Sequence, residues 1–283
     1  MFTPPTLSSE TIAHIGPFAL RNTILTSWIV IAFIALGVFI YYRKSKKLVP
    51  GGWQNLVEMI IEGILNFFET ITADRGLAKK FLPICGTIFL YVFISNIFGL
   101  FPGFGTIGIY ETHEGREVLV PFFRSANADV NMTLGIALIS VVMSQVYGLR
   151  ALKLGYLKKF FVNPITNFVG FFVGILELVS EFAKIISFTF RLFGNIFAGE
   201  VLMMVMLFLV PFIAPMPFYG LEMFVAFVQA LVFSLLTLVF FTMAVTAHGG
   251  HEDEHRGAEN AFAGATADGS GIVGGETGTV CHK

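Results

Sequence analysis

The sequence predicts an all-α polytopic membrane protein with five membrane helices, the last two long and tilted, and one interfacial amphipathic helix. Three observations predict it. The 283 residues are 55% hydrophobic and only 13% charged, about half the charged share of an ordinary soluble domain. Several apolar runs reach the roughly 18 residues that mark a membrane helix. The basic residues gather at alternate ends of those runs, the pattern that orients membrane helices.

Composition also closes off other classes. The net charge of −1 says nothing about nucleic acid, but no basic patch interleaved with aromatics is present, so no nucleic-acid partner is expected. Cys85 and Cys281 make no disulfide framework. There is no Walker-type loop, nucleophile elbow or zinc spacing, so neither an enzyme nor a cofactor or metal site is expected. The N-terminus has no basic region ahead of its first apolar run, so no cleaved signal peptide is expected.

Residues 1–21 are polar and proline-containing and read as an external segment. The first span covers about Asn22–Tyr42, and Arg43, Lys44, Lys46 and Lys47 place its end on the cytoplasmic side. In residues 53–72, Glu58, Glu62, Asn66 and Glu69 form one polar stripe on an otherwise apolar helix. A helix lying in the interface, not a span, keeps the following Arg75, Lys79 and Lys80 on the side of the first cluster.

The second span is about Phe81–Phe101, and residues 102–128 form an external loop. The third span, about Val130–Leu149, returns inside ahead of Arg150, Lys153, Lys158 and Lys159. Only Arg21, Arg116 and Arg124 fall at external ends. A fourth helix starts near Asn163-Pro164 and runs unbroken to Val210. At ~1.5 Å per residue it reaches about 70 Å, which calls for strong tilt. Pro211, Pro215 and Pro217 make a turn, and the fifth helix is about Phe218–Ala247. This divides the chain into an external segment (1–21), a membrane domain (22–247) and a glycine-rich tail (248–283) expected to be disordered and cytoplasmic. His248, His251 and His255 with Glu252 and Asp253 in that tail are metal-ligating types, but a solvated tail is the expectation.

The fourth helix holds the candidate functional residues. At about 100° per residue, Glu177, Glu181, Lys184, Arg191 and Asn195 fall on one stripe roughly 80° wide. Glu200 lies about 180° from Arg191, on the opposite face. Glu181 and Lys184 are spaced to pair (i, i+3). Arg191 has no acid at i±3 or i±4, and arginine cannot shed its proton. A permanent charge at membrane depth costs a few kcal/mol and marks an ion path or a partner. On the fifth helix, Glu222 is the only charge, and Gln229 lies seven residues on, nearly on the same face.

FRLFGNIFAGEVL resembles the arginine helix of the a subunit of rotary, F-type ATP synthases of bacterial type. PGGWQNLVEMIIEG, ISNIFGLFPG, SANADVNMTLGIAL and the last span with Gln229 in VQALVF resemble that family in the same order, over roughly residues 20–247. The resemblance implies a non-catalytic, ion-conducting stator that forms two proton half-channels against a rotor c-ring. It implies as further partners peripheral-stalk (b-type) subunits and a catalytic head, within a bacterial inner membrane. It implies that Arg191 is the essential residue, with Glu177 below it on the stripe toward the internal side, Asn195 one turn past it, and Gln229 close by on the next helix. Family members often carry an acid and a histidine at the positions of Glu200 and Glu222. Here both are glutamates, read as a coupled pair lining the outer half-channel, with Asp129 an alternative member of that path and also a helix cap.

The competing class is a stand-alone secondary transporter with an intramembrane Arg/Glu site. Internal repeats and broken helices would favour it, and neither is visible in the sequence.

Overall fold

The computed structural model describes residues 11–15, 18–44, 52–101, 108–113, 116–121, 124–153, 168–210 and 215–246. Six α-helices make up the body: α1 Asn22–Lys44, α2 Gly52–Thr72, α3 Arg75–Leu100, α4 Val130–Leu152, α5 Phe168–Leu209 and α6 Pro215–Thr246. All but α2 are long and apolar enough to cross a membrane, as the sequence predicts. Two short antiparallel hairpins, β1 Thr11–Ile15 with β2 Phe18–Arg21 and β3 Gly108–His113 with β4 Arg116–Pro121, lie outside the helices. The second occupies the stretch expected to be a plain loop.

Helix direction alternates. At one end, the start of α1 meets the start of α4 through Thr23 and Asp129. The 3-10 turn Ala126–Ala128 packs on α1, α3, α4 and α5 at this same end. Gly99 near the end of α3 is required there, since a Cβ would stand 2.5 Å from the Ser125 Cβ. At the other end, Phe81 of α3 meets Tyr147 of α4 and Phe241 of α6 edge to face, and those two rings are tilted against each other, with centroids 5.1–5.4 Å apart. Between the ends, Ile88, Val92, Ala137, Phe188, Leu192, Ala230 and Phe233 form a buried core that fixes α5 and α6 against α3 and α4.

The amphipathic α2 turns back through Ala73 (φ 54°) into α3. It lays Ile64, Phe67 and Phe68 near Phe89 of α3 and Leu231 of α6, leaving Glu58 and Glu62 exposed.

Two boundaries differ from expectation for identifiable reasons. α3 begins at Arg75, before the apolar run, because the Asp74 side chain accepts from the Gly76 N–H and caps a polar first turn. α6 begins at Pro215, with Pro217 inside its first turn. The first N–H groups of a helix have no acceptor, so proline there breaks nothing. The expected helix start at Asn163-Pro164, the expected turn residue Pro211 and the tail 248–283 lie outside the described residues. At ~1.5 Å per residue, α5 and α6 span about 63 and 48 Å, beyond a ~30 Å bilayer core unless they tilt.

Candidate functional site

Arg191 lies near the middle of α5 because FTFRLFGN continues the helix without a breaker, and its neighbours Phe188 and Leu192 are buried in the core. Its Nη2 donates to the Ser187 Oγ one turn back, at 3.3 Å. Its Nη1 is buried with no acceptor. The guanidinium carbon lies 5.8 Å from the Phe188 ring centroid. Among the described residues no carboxylate forms an ion pair with it. Ser180, Lys184, Ser187 and Arg191 recur at helical spacing and, with Leu236 and Phe240 of α6, line a cleft of about 260 Å³.

Lys184, the other cation on this stripe, is satisfied inside the chain. It pairs with Glu181 at 2.7 Å and sits 4.8 Å over the Phe240 ring. Glu177 is half-buried further along α5, about 21 Å of helix axis from Arg191.

One turn past Arg191, Asn195 Nδ2 donates to Gln229 Oε1 of α6 at 2.7 Å. This joins two residues picked out separately in the sequence. Gln229 is buried, and its Nε2 finds no partner. Aimed between the two long helices, it is a second unspent donor near the arginine.

Beyond this bridge the polarity reverses. Glu222 is buried against the backbone of Gly199 and within electrostatic reach of Glu200, so the two acids meet across α5 and α6. They do not meet alone. Arg124, in the segment leading to the 3-10 turn, donates from Nε (3.1 Å) and Nη2 (2.9 Å) to Glu200 Oε2. Sequence reasoning missed this residue, counting it only as an external charge. The contact joins positions 76 apart, and the only local hint is its place just before the small polar run SANAD.

Asp129 is engaged elsewhere. It caps α4 by accepting from the Asn131 N–H, accepts from the Thr23 hydroxyl at 3.2 Å, and pairs with Arg21 at 3.7 Å. The 3-10 turn also holds a buried amide pair, Asn127 Nδ2 donating to Asn96 Oδ1 at 2.6 Å. The remaining amide atoms of that pair, Asn127 Oδ1 and Asn96 Nδ2, are unpartnered. Among the described residues no three metal-ligating side chains converge, and the tail histidines lie outside them.

Fold and site together define an integral membrane protein in which a long apolar helix pair holds one unneutralised arginine between polar groups on either side. The chain belongs to the ATP synthase A chain family, whose model matches residues 24–242. It is 38% identical over 224 residues to ATP synthase subunit a of Campylobacter jejuni, covering 78% of this chain and 89% of that one. It is 37% identical over 219 residues to the same subunit of Desulfotalea psychrophila (77% and 82%). The subunit of Helicobacter pylori is 34% identical over 238 residues (83% and 95%).

Proposed function

We propose that this chain is the ion-conducting stator of an ATP synthase membrane motor, a non-catalytic subunit that couples proton flow to rotation of a c-ring. The observation that carries it is Arg191: a permanent cation at membrane depth, with one guanidinium nitrogen lacking an acceptor and a cleft alongside. Such a charge calls for a carboxylate from outside the chain.

In this reading two aqueous half-channels each reach partway, since one continuous path would leak. Glu200 and Glu222 belong to the outer route, with Asp129 at its mouth, and Glu177 belongs to the inner one. A rotor carboxylate is neutralised from one side, turns through lipid, and ionises at the other. Arg191 stabilises the ionised form as it passes and repels a cation from the direct route. Asn195 and Gln229 hold α5 and α6 in register beside it. The membrane potential supplies about 2.3 kcal/mol per charge per 100 mV. The N-terminus is external and the C-terminal tail cytoplasmic, as the basic clusters require. Peripheral-stalk subunits and the catalytic head complete the assembly, and the rotor site selects H⁺ or Na⁺.

The test is Arg191→Ala and Arg191→Lys in the assembled complex. Both should lose ATP-driven proton pumping while rotor ring and head still co-purify. Lysine should fail because an ammonium is a compact point charge, not a planar fork. Normal pumping by either variant overturns the reading.

A further inference from the structure

The outer acids differ in their surroundings, and the difference comes from Arg124. Glu200 receives two charge-assisted hydrogen bonds on a single oxygen. Glu222 receives none among the described residues and lies against bare helix backbone at Gly199. Arg124 is not on a loose loop. Ser125 next to it is buried, donates to the Ser95 carbonyl at 3.4 Å, and accepts the Ala128 N–H through its own carbonyl at 3.1 Å. Asn127, two residues further, is fully buried on Asn96. The Arg124 side chain is only 10% exposed. The turn therefore delivers a fixed positive charge from the α3–α4 connection onto α5.

We propose that Arg124 is the positioning residue of the outer route: it holds Glu200 as an ionised anchor and leaves Glu222 alone to exchange protons. This rests on the stator reading and deepens it. The sequence suggests two equivalent carboxylates sharing one proton. With a cation locked on one of them, the pair is divided into a neutralised Arg124–Glu200 couple and a single working acid. The couple adds no net charge, so Glu222 gains and loses its proton beside a carboxylate whose charge Arg124 partly offsets. Removing either member of the couple unbalances the site. Without Arg124, two acids face each other. Without Glu200, the guanidinium loses the acceptor of both hydrogen bonds, and the acid it holds no longer offsets its charge.

The measurement is passive proton conductance of membrane vesicles stripped of the catalytic head, with rotor ring and stator content quantified in each preparation. Arg124→Gln and Glu200→Gln should each lower conductance about ten-fold or more, the effect of a barrier raised by about 1.4 kcal/mol. Arg124→Lys, which keeps the charge, should fall between wild type and Arg124→Gln. The double variant Arg124→Gln/Glu200→Gln, which removes the couple without changing net charge, should recover most of the wild-type conductance. Glu222→Gln should abolish it in every background. A double variant as inactive as Arg124→Gln, or Arg124→Gln conducting like wild type, overturns the proposal. Wild-type conductance in Glu222→Gln instead shows that the outer route runs elsewhere, a failure of the underlying reading.

Discussion

Gly199 offers the most direct test of how tightly the outer acids are built into the helix pair. A Cβ at this position would overlap the Glu222 carboxyl, touching Oε1, Cδ and Oε2 at separations real side chains do not adopt. Glu222 is only 7% exposed. Gly199→Ala must therefore push α5 from α6 or force the Glu222 side chain off its rotamer, at about 1–3 kcal/mol. Alanine also raises helix propensity by up to about 1 kcal/mol over glycine. Fold stability should consequently change little, while the carboxylate loses its position. A displacement of that energy in the proton-transfer step slows conductance roughly 5- to 150-fold. The assay is passive proton conductance of head-stripped vesicles beside the thermal stability of the detergent-solubilised complex. Glu222→Asp, one methylene shorter, should partly restore conductance to Gly199→Ala. Gly86→Ala, where a Cβ meets nothing within 4 Å, serves as the control and should conduct normally. Wild-type conductance in Gly199→Ala, or no gain from Glu222→Asp, would refute the packing argument.

Two further outcomes follow from the same structure. In a Cys85→Ser, Cys281→Ser background, Lys80→Cys at the start of α3 should react with an impermeant thiol reagent only from the cytoplasmic side. Labelling from outside would mean that α2 crosses the membrane. Gln229→Leu removes the acceptor of Asn195 and should cost about 0.6–2 kcal/mol of α5–α6 association. That should appear as a lowered melting temperature of the complex together with slower ATP-driven pumping, and no change in either would show that the bridge is idle.

The sequence was most legible where one physical rule dominates. Charge asymmetry and apolar run length located α1 and α4 to within a few residues, and parity separated α2 from the spans. Helical spacing placed Arg191 and Lys184 on one face of α5, where they line one cleft. It failed where two rules compete. Apolar run length placed the second span from about Phe81, whereas the helix begins at Arg75 because Asp74 caps a polar first turn. Pro215 and Pro217 are turn formers by composition and yet suit the opening of a helix. The alternating pattern of REVLVP pairs as a strand, but its setting between spans suggested a plain loop. Arg124 was illegible for a different reason. Its meaning depends on Glu200, a residue on another helix, and no local pattern encodes that contact.

The contrast between Arg124 and Arg191 bears on why a motor would leave one arginine unneutralised. Both lie on or against α5; the Arg124 side chain is 10% exposed, and Arg191 is half-buried with its Nη1 enclosed. Arg124 is supplied with an acid by its own chain, and such a charge is static. Arg191 faces a cleft lined by Ser187, Leu236 and Phe240, and in the proposed motor its acid comes from a partner. An ionised carboxylate about 4 Å away gains on the order of 4 kcal/mol at an effective dielectric of about 20. The driving potential provides about 2.3 kcal/mol per charge per 100 mV. The two are of similar size, so a carboxylate can be held at Arg191 long enough to stay ionised and still be driven off it. An internal acid beside Arg191 would occupy the site permanently, whereas a deeper, drier pocket would hold the rotor fast. In the proposed motor, the half-open cleft and the absence of an acid at i±3 or i±4 serve one requirement: an interaction strong enough to choose the charged form, and weak enough to release it.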